Sequence, residues 1–148
     1  MKLKSTRITL TPFTLDLIDA ALKRDCGAMA SMGFTATEEW PESDLVEALP
    51  FFRELIVQHG VNGFNSWLIT LNTTGEIAGS LGFIGNPDSE GAVEIGFGIV
   101  PGKRGQGYCR EAVNLLAAWA LRQQGVRRIT GKCEESNAAS VNALRSAG

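Results

Sequence analysis

The 148-residue sequence has 14 basic and 16 acidic side chains, a formal net charge of −2, and 44% hydrophobic residues. This composition is typical of one globular domain rather than of a disordered chain. The small negative charge gives no general attraction to nucleic acid, so any site for a polyanion has to be local.

The cysteine and histidine content argues against a disulfide framework and against a metal site. The sequence has three cysteines without a CxxC pair and a single histidine, His59, which does not fit the usual ligand sets of zinc. No apolar run approaches the roughly 18 residues of a membrane helix, and the first ten residues lack a signal-peptide core. We therefore expect a cytoplasmic protein without a metal, a membrane or a nucleic-acid partner.

Hydrophobic periodicity predicts the elements of the first half of the chain. Period-two alternation in residues 7–15 predicts a strand, and apolar residues at helical spacing in residues 16–32 predict a helix. Ser43 or Asp44 is the expected N-cap of a second helix, which runs to His59.

The second half alternates strands and helices. The predicted strands are 66–72, 77–85, 92–100 and 126–135, and the predicted helices are 107–124 and 136–148. The order β-α-α-β-β-β-α-β-α predicts a mixed α/β (α+β) fold. The sequence stops at Gly148, a residue typical of a helix C-cap, where another strand would be expected. We therefore expect that C-terminal strands are missing from it.

The segment PGKRGQGYCR, residues 101–110, lies between a predicted strand and a predicted helix. It lacks the Gly-Lys-Ser/Thr ending of a P-loop, and it has Arg110 where a dinucleotide-binding turn needs its third glycine. Gly105 and Gly107 allow the backbone to present successive N–H groups, and the following helix directs its N-terminus to the same point. With Arg104 adding charge, the segment predicts a nest for the pyrophosphate of a small cofactor.

The hexapeptide RGQGYC resembles the acetyl-CoA signature of the Gcn5-related N-acetyltransferases (GNAT), which is (Gln/Arg)-x-x-Gly-x-(Gly/Ala). Cys109 departs from the last position, and a thiol at a helix N-terminus is expected to be unusually acidic. EIGFGIVPGKRGQGYCREA and ESNAASVNALRSAG are similar to the branch that acetylates ribosomal-protein N-termini (RimJ/RimL-like). The resemblance spans essentially the whole chain. It implies a single acetyltransferase domain over residues 1–148, with a mostly antiparallel sheet flanked by helices.

The resemblance also implies which residues bind the cosubstrate, acetyl-CoA. The pantetheine arm would lie beside the strand at 92–100 and pair with backbone groups of Ile99 and Val100. Asn137, which is also a natural helix N-cap, would hydrogen-bond to the same arm. The pyrophosphate would be held by the loop residues Arg104, Gly105, Gln106, Gly107, Tyr108 and Cys109.

Two residues are candidates for the chemistry. Strand alternation places Glu94, Gly96 and Gly98 on one face, where the glycines leave a trough beside the carboxylate. Glu94 is the candidate general base because an ammonium has no lone pair to attack a thioester; the alternative is an ordinary surface glutamate. The resemblance implies that Ser140 protonates the departing thiolate, because Tyr108, the only tyrosine, lies in the phosphate loop. Ser140 could equally be an ordinary helix serine.

An acidic run precedes the second helix, at Glu38, Glu39, Glu42 and Asp44. It would either attract a cationic amine or match the dipole of the helix N-terminus. Together these features predict an N-acetyltransferase that moves an acetyl group from acetyl-CoA to a primary amine by direct attack. Two alternatives stay open, a non-catalytic acyl-CoA-binding domain and another nucleotide-binding α/β protein. The sequence specifies neither the acceptor nor whether the protein is a monomer or a homodimer.

Overall fold

A computed structural model of the chain describes residues 2–131. Its helices and strands are, in chain order, β1 (Leu3–Lys4), β2 (Ile8–Pro12), α1 (Leu15–Leu22), α2 (Cys26–Ser31), α3 (Ser43–His59), β3 (Ser66–Leu71), β4 (Ile77–Phe83), β5 (Ala92–Ile99), α4 (Tyr108–Leu121) and β6 (Arg128–Gly131). A short 3₁₀ turn, Pro101–Lys103, follows β5. The predicted helix at 136–148, with Asn137 and Ser140, lies outside the described residues. The expected continuation of the sheet beyond Gly148 stays a prediction.

The strands of residues 2–131 form one six-stranded sheet, whose spatial order is the same as their order in the chain. Neighbouring strands are antiparallel except for β5 and β6, which are parallel and are connected through α4. A parallel pair needs such a crossover connection. The prediction of a mixed, mostly antiparallel sheet flanked by helices is confirmed.

Helices cover both faces of the sheet. On one face, α4 contributes Ala112, Leu116 and Trp119 to a buried cluster with residues of β2 to β5. On the other face, α1, α2 and α3 pack on a second buried cluster that contains Leu68 and Ile77. Each face of the sheet is therefore apolar, as a three-layer arrangement requires.

The first predicted helix is wrong in one respect, because residues 16–32 form two helices instead of one. The chain turns between them at Arg24, which adopts a φ of 51°. Asp25 then accepts a hydrogen bond from the Ala28 N–H and caps α2. A short polar side chain that caps a helix competes with helix continuation, whereas the apolar spacing that predicted one helix runs through both segments.

Two smaller differences concern strand and helix ends. The structure adds the two-residue strand β1, which lies outside the predicted strand at 7–15. Helix α3 begins at Ser43 with Glu42 as its N-cap residue, and no side chain caps it. No helix within residues 2–131 is long and apolar enough to cross a membrane.

Candidate active site

The loop between β5 and α4 presents backbone donors that have no partner among residues 2–131. Gly105 and Gly107 have φ values of 79° and 82°, a left-handed conformation that glycine adopts without strain. The backbone N–H groups of residues 105–110 donate no hydrogen bond to the described part of the chain. Gly107 is the N-cap of α4, so the first N–H groups of this helix point into the same region. The arrangement fits an anion, as the glycine spacing predicted.

Lys103 and Arg104 each pair with an acidic side chain and do not point freely toward the N–H groups of the loop. Lys103 Nζ lies 3.0 Å from Glu76 Oε2. Arg104 donates from Nε to the Ile99 carbonyl at 2.9 Å, and its Nη2 lies 3.1 Å from Glu42 Oε2. An anion that binds Arg104 directly would therefore compete with Glu42 for it.

The predicted acidity of Cys109 is wrong. The side chain packs partly buried against the core cluster beneath α4, and this burial raises the pKa of the thiol to about 12. Desolvation disfavours the thiolate, and here it outweighs the helix N-terminus. Cys109 therefore packs as a small apolar residue in the first turn of α4.

A cavity of about 240 Å³ lies between the sheet and the start of α3. Its floor consists of small residues on adjacent strands, where Ser80 of β4 pairs with Gly98 of β5 and Gly82 pairs with Gly96. Other lining residues are Glu42, Asp44, Leu45, Phe52, Ser66, Leu81, Ile84 and Phe97. The predicted trough is thus present, and apolar side chains together with two carboxylates complete its wall.

The glycines of β5 keep this trough open. A Cβ atom built on Gly96 would meet no heavy atom within 4 Å, and one built on Gly98 would lie 3.4 Å from Glu42 Oε1. The Glu42 carboxylate therefore lies directly over β5. Burial raises the pKa of Glu42, although Arg104 opposes the shift.

The acidic run before α3 divides between the loop and the cavity. Glu39 accepts hydrogen bonds from the Gly102 N–H at 3.2 and 3.0 Å, which fixes the 3₁₀ turn after β5. Glu42 contacts Arg104, and Asp44 lines the cavity. A match to the dipole of the helix N-terminus, one of the two alternatives for this run, therefore does not explain all of its contacts.

Glu94 lies next to the cavity and does not line it. Its side chain is half-buried on the same face of β5 as Gly96 and Gly98. Its backbone carbonyl accepts from the Ile84 N–H at 3.2 Å, and its Cα partner on β6 is Thr130. The geometry keeps Glu94 at the edge of the trough, so its role as a base stays a prediction.

The backbone at Ile99 and Val100 is already partly occupied. The Val100 N–H donates to the Ala78 carbonyl at 2.9 Å, and the Ile99 carbonyl accepts from Arg104. An extended arm that pairs with the Ile99 carbonyl would have to displace Arg104. On the other edge of β5, the pairing with β6 runs from Ala92 to Ile95, and the continuation of β6 falls outside the described residues.

One residue that contacts the loop was not found from the sequence. Arg7, immediately before β2, donates from Nη1 to the Gln106 carbonyl at 2.8 Å. The two residues are 99 positions apart, and no local pattern relates them. The packing of α4 across the face of the sheet that contains β2 brings them together.

Comparison with known proteins agrees with this geometry. The family model for the acetyltransferase (GNAT) domain matches residues 7–148. YjdG of Bacillus subtilis strain 168, named an uncharacterized N-acetyltransferase, is 42% identical over 147 residues, which are 99% of this chain and 88% of that protein.

Among solved structures, RimL, a ribosomal L7/L12 alpha-N-protein acetyltransferase in complex with coenzyme A, superposes with a TM-score of 0.72 and 22% identity. The match covers 99% of this chain and 82% of that one. A putative GNAT-family acetyltransferase from Bordetella pertussis gives a TM-score of 0.69 and 20% identity, covering 100% of this chain and 87% of that one. These two likenesses show the fold, whereas the family match and the Bacillus subtilis relative establish that the chain belongs to the GNAT acetyltransferase family.

Proposed function

We propose that this protein transfers the acetyl group of acetyl-CoA to a primary amine, and that the loop at 104–109 binds the pyrophosphate of CoA. The observation that carries the proposal is the run of N–H groups at residues 105–110, which donate to no acceptor within residues 2–131. This run follows β5, whose glycines form part of the cavity floor. Such donors at a helix N-terminus fit a phosphate group. The solved RimL structure, which has the same fold, is a complex with coenzyme A.

The cavity fits the thioester arm of acetyl-CoA and the acceptor amine. Gly96 and Gly98 leave room beside β5 for a thin, extended chain, and Leu45 and Phe52 of α3 offer apolar contacts. Glu42 and Asp44 give the wall a negative charge, which favours a cationic acceptor over an anionic one. The proposed acceptors are therefore amines, such as a protein N-terminus or a small-molecule amine.

The proposed chemistry is a direct attack. Glu94, directly or through water, takes a proton from the acceptor ammonium, and the amine nitrogen then forms a bond to the thioester carbonyl carbon. The nitrogen then releases its second proton, the carbon–sulfur bond breaks, and the thiolate takes up a proton, for which Ser140 is the candidate donor from the sequence. The products are an N-acetyl amide and CoA with a free thiol. No metal is needed for any of these steps.

The test is an acceptor screen in which acetyl-CoA is the donor and the release of free CoA thiol is measured. Transfer to at least one amine, confirmed by the mass of the acetylated product, is the expected result. Glu94→Gln should lower kcat about 100-fold or more, the usual contribution of a general base, with little change in CoA affinity.

The alternative is a non-catalytic acyl-CoA-binding domain of the same fold. It would bind CoA as tightly as proposed but release no thiol with any amine, and Glu94→Gln would then change nothing. Thiol release without an acetylated amine would indicate hydrolysis of the thioester and would contradict the proposed transfer.

A further inference from the structure

Arg7 contacts Gln106 and Tyr108 of the proposed pyrophosphate loop and passes close to Gly107 between them. Its Nη1 donates to the Gln106 carbonyl at 2.8 Å, and its guanidinium carbon lies 4.6 Å from the centroid of the Tyr108 ring. A Cβ atom on the intervening Gly107 would lie 3.2 Å from Arg7 Nη2. The guanidinium group therefore covers one side of the turn at the start of α4, and Gly107 allows it to come this close.

The hydrogen bond to Gln106 determines which way one peptide group points. The peptide between Gln106 and Gly107 is trans, so its C=O and N–H point in opposite directions. Because the carbonyl is held by Arg7, the Gly107 N–H points away from Arg7. Glycine at 107, whose φ is one of the two torsions that flank this peptide, makes it easy to rotate. A partner that holds its carbonyl is therefore an effective constraint on the direction of its N–H.

Arg7 also neutralises a carboxylate that would otherwise weaken anion binding. Glu111, in the first turn of α4, accepts from Arg7 Nε at 2.7 Å and from the Arg7 backbone N–H at 3.0 Å, and the Ser5 hydroxyl donates to it as well. A negative charge at this end of a helix would repel a bound pyrophosphate. The paired guanidinium cancels that charge within the same turn.

We propose that Arg7 is a positioning residue for the pyrophosphate loop: it orients the 106–107 peptide, neutralises Glu111 and so strengthens the binding of CoA without touching the acetyl group. This inference rests on the proposed function, because it requires that the loop binds CoA. It assigns a role in cofactor binding to the segment before β2. In the sheet, β2 is separated from β5 by β3 and β4.

The test compares Arg7→Gln with Arg53→Gln. Arg53 forms a similar ion pair, with Asp19 at 3.0 Å and a side-chain exposure of 42% against 44% for Arg7, but it lies on α3 away from the loop. The dissociation constant of CoA should rise about 10-fold in Arg7→Gln, the loss expected for one hydrogen bond from a charged group. It should stay within about twofold of wild type in Arg53→Gln.

A second measurement separates positioning from general damage. S-Acetylpantetheine carries the thioester but no pyrophosphate, so its kcat/KM should be unchanged in Arg7→Gln while that of acetyl-CoA falls. Arg7→Lys, which keeps the charge and can still donate a hydrogen bond, should recover part of the CoA affinity, and it serves as the test if Arg7→Gln does not fold.

Equal losses for both donors, or no change in CoA affinity, would overturn the role of Arg7 while leaving the proposed function intact. If wild type itself fails to bind CoA, the proposed function fails, and the inference falls with it. The two failures are therefore distinguishable.

Discussion

Glu42 and Arg104 connect the loop with the wall of the cavity. Arg104 belongs to the signature hexapeptide, but its guanidinium is shared between the Ile99 carbonyl and Glu42. Glu42 in turn lies over Gly98 and lines the cavity. A ligand that takes Arg104 away from Glu42 would leave this carboxylate without its guanidinium partner and more available to an ammonium group. The ion pair between Arg104 and Glu42 therefore links the proposed CoA-binding loop with the proposed acceptor cavity.

Cys109 should be slow to react with thiol reagents. Burial raises the pKa of its thiol to about 12, so the thiolate is scarce near neutral pH, and the thiolate is the reactive form. Cys26 is exposed. With iodoacetamide at about pH 8, peptide mapping by mass spectrometry should show that Cys26 is alkylated well before Cys109. Faster alkylation of Cys109 would indicate the acidic thiol that its position at a helix N-terminus first suggested.

At the scale of elements, the glycines of β4 and β5 serve different purposes. Gly96 faces open space in the trough, whereas a Cβ atom on Gly79 would overlap the Gly98 carbonyl of the neighbouring strand. The sequence pattern marks both as strand glycines, and only the structure separates the one that keeps a cavity open from the one that permits close strand pairing.

Gly79→Ala and Gly96→Ala should therefore differ in stability and in activity. Gly79→Ala should lower the free energy of unfolding by about 3 kcal/mol, because backbone would have to move. Gly96→Ala should change it by less than about 1 kcal/mol, since the site is open. Gly96→Val, which fills more of the trough, should slow acetyl transfer while the protein stays folded. Urea denaturation and the thiol-release assay measure the two effects.

If Gly96→Ala lowered the free energy of unfolding more than Gly79→Ala does, the close approach of β4 and β5 at Gly79 would be contradicted. A Gly96→Val variant that unfolds would likewise contradict the open trough. Full activity in a folded Gly96→Val protein would show that no extended chain of the donor lies beside Gly96.

Hydrophobic periodicity was sufficient to predict most helices and strands, because each contains enough apolar residues to show a helical or a strand period. The segment at 92–121 is the best example, where strand, turn and helix all agree with the prediction within a few residues. The break between α1 and α2 was missed since it depends on a left-handed Arg24 and on the cap formed by Asp25. Both are local polar details within an otherwise continuous apolar spacing.

At the scale of the whole molecule, the candidate site is assembled from distant parts of the chain. The sheet order places β2 beside β3 and β5 beside β4, and α4 crosses from β5 back over the face that contains β2. The glycine loop could be identified from spacing alone, since its donors are consecutive. The contacts of Arg7 and Glu42 could not, because each joins segments that are more than 60 residues apart.

Glu111 holds the N-terminal segment against α4, and this contact should depend on pH. Burial disfavours its charge, but the hydrogen bonds from Ser5 and Arg7 outweigh burial and hold the pKa of Glu111 below its ordinary value. A carboxyl with a lowered pKa in the folded state stabilises the protein above its unfolded pKa, and this stabilisation is lost as the pH falls through the folded pKa. Glu111→Gln should therefore cost about 1 kcal/mol near neutral pH and less in acid.

Urea denaturation of wild type and Glu111→Gln at about pH 7 and about pH 4 measures this difference. The gap between the two proteins in unfolding free energy should narrow at the lower pH. A gap that stays constant or widens in acid would contradict the lowered pKa and with it the strength of the contact between the N-terminal segment and α4.

Calorimetric titration with CoA, ATP and NAD tests the central claim most directly, that the loop at 104–109 binds the pyrophosphate of CoA. We predict saturable binding of CoA, much weaker binding of ATP and NAD, and a loss of CoA affinity of about 10-fold in Arg104→Ala, because a charge at the loop is removed. If CoA does not bind, or if Arg104→Ala binds it as tightly as wild type does, the claim is contradicted.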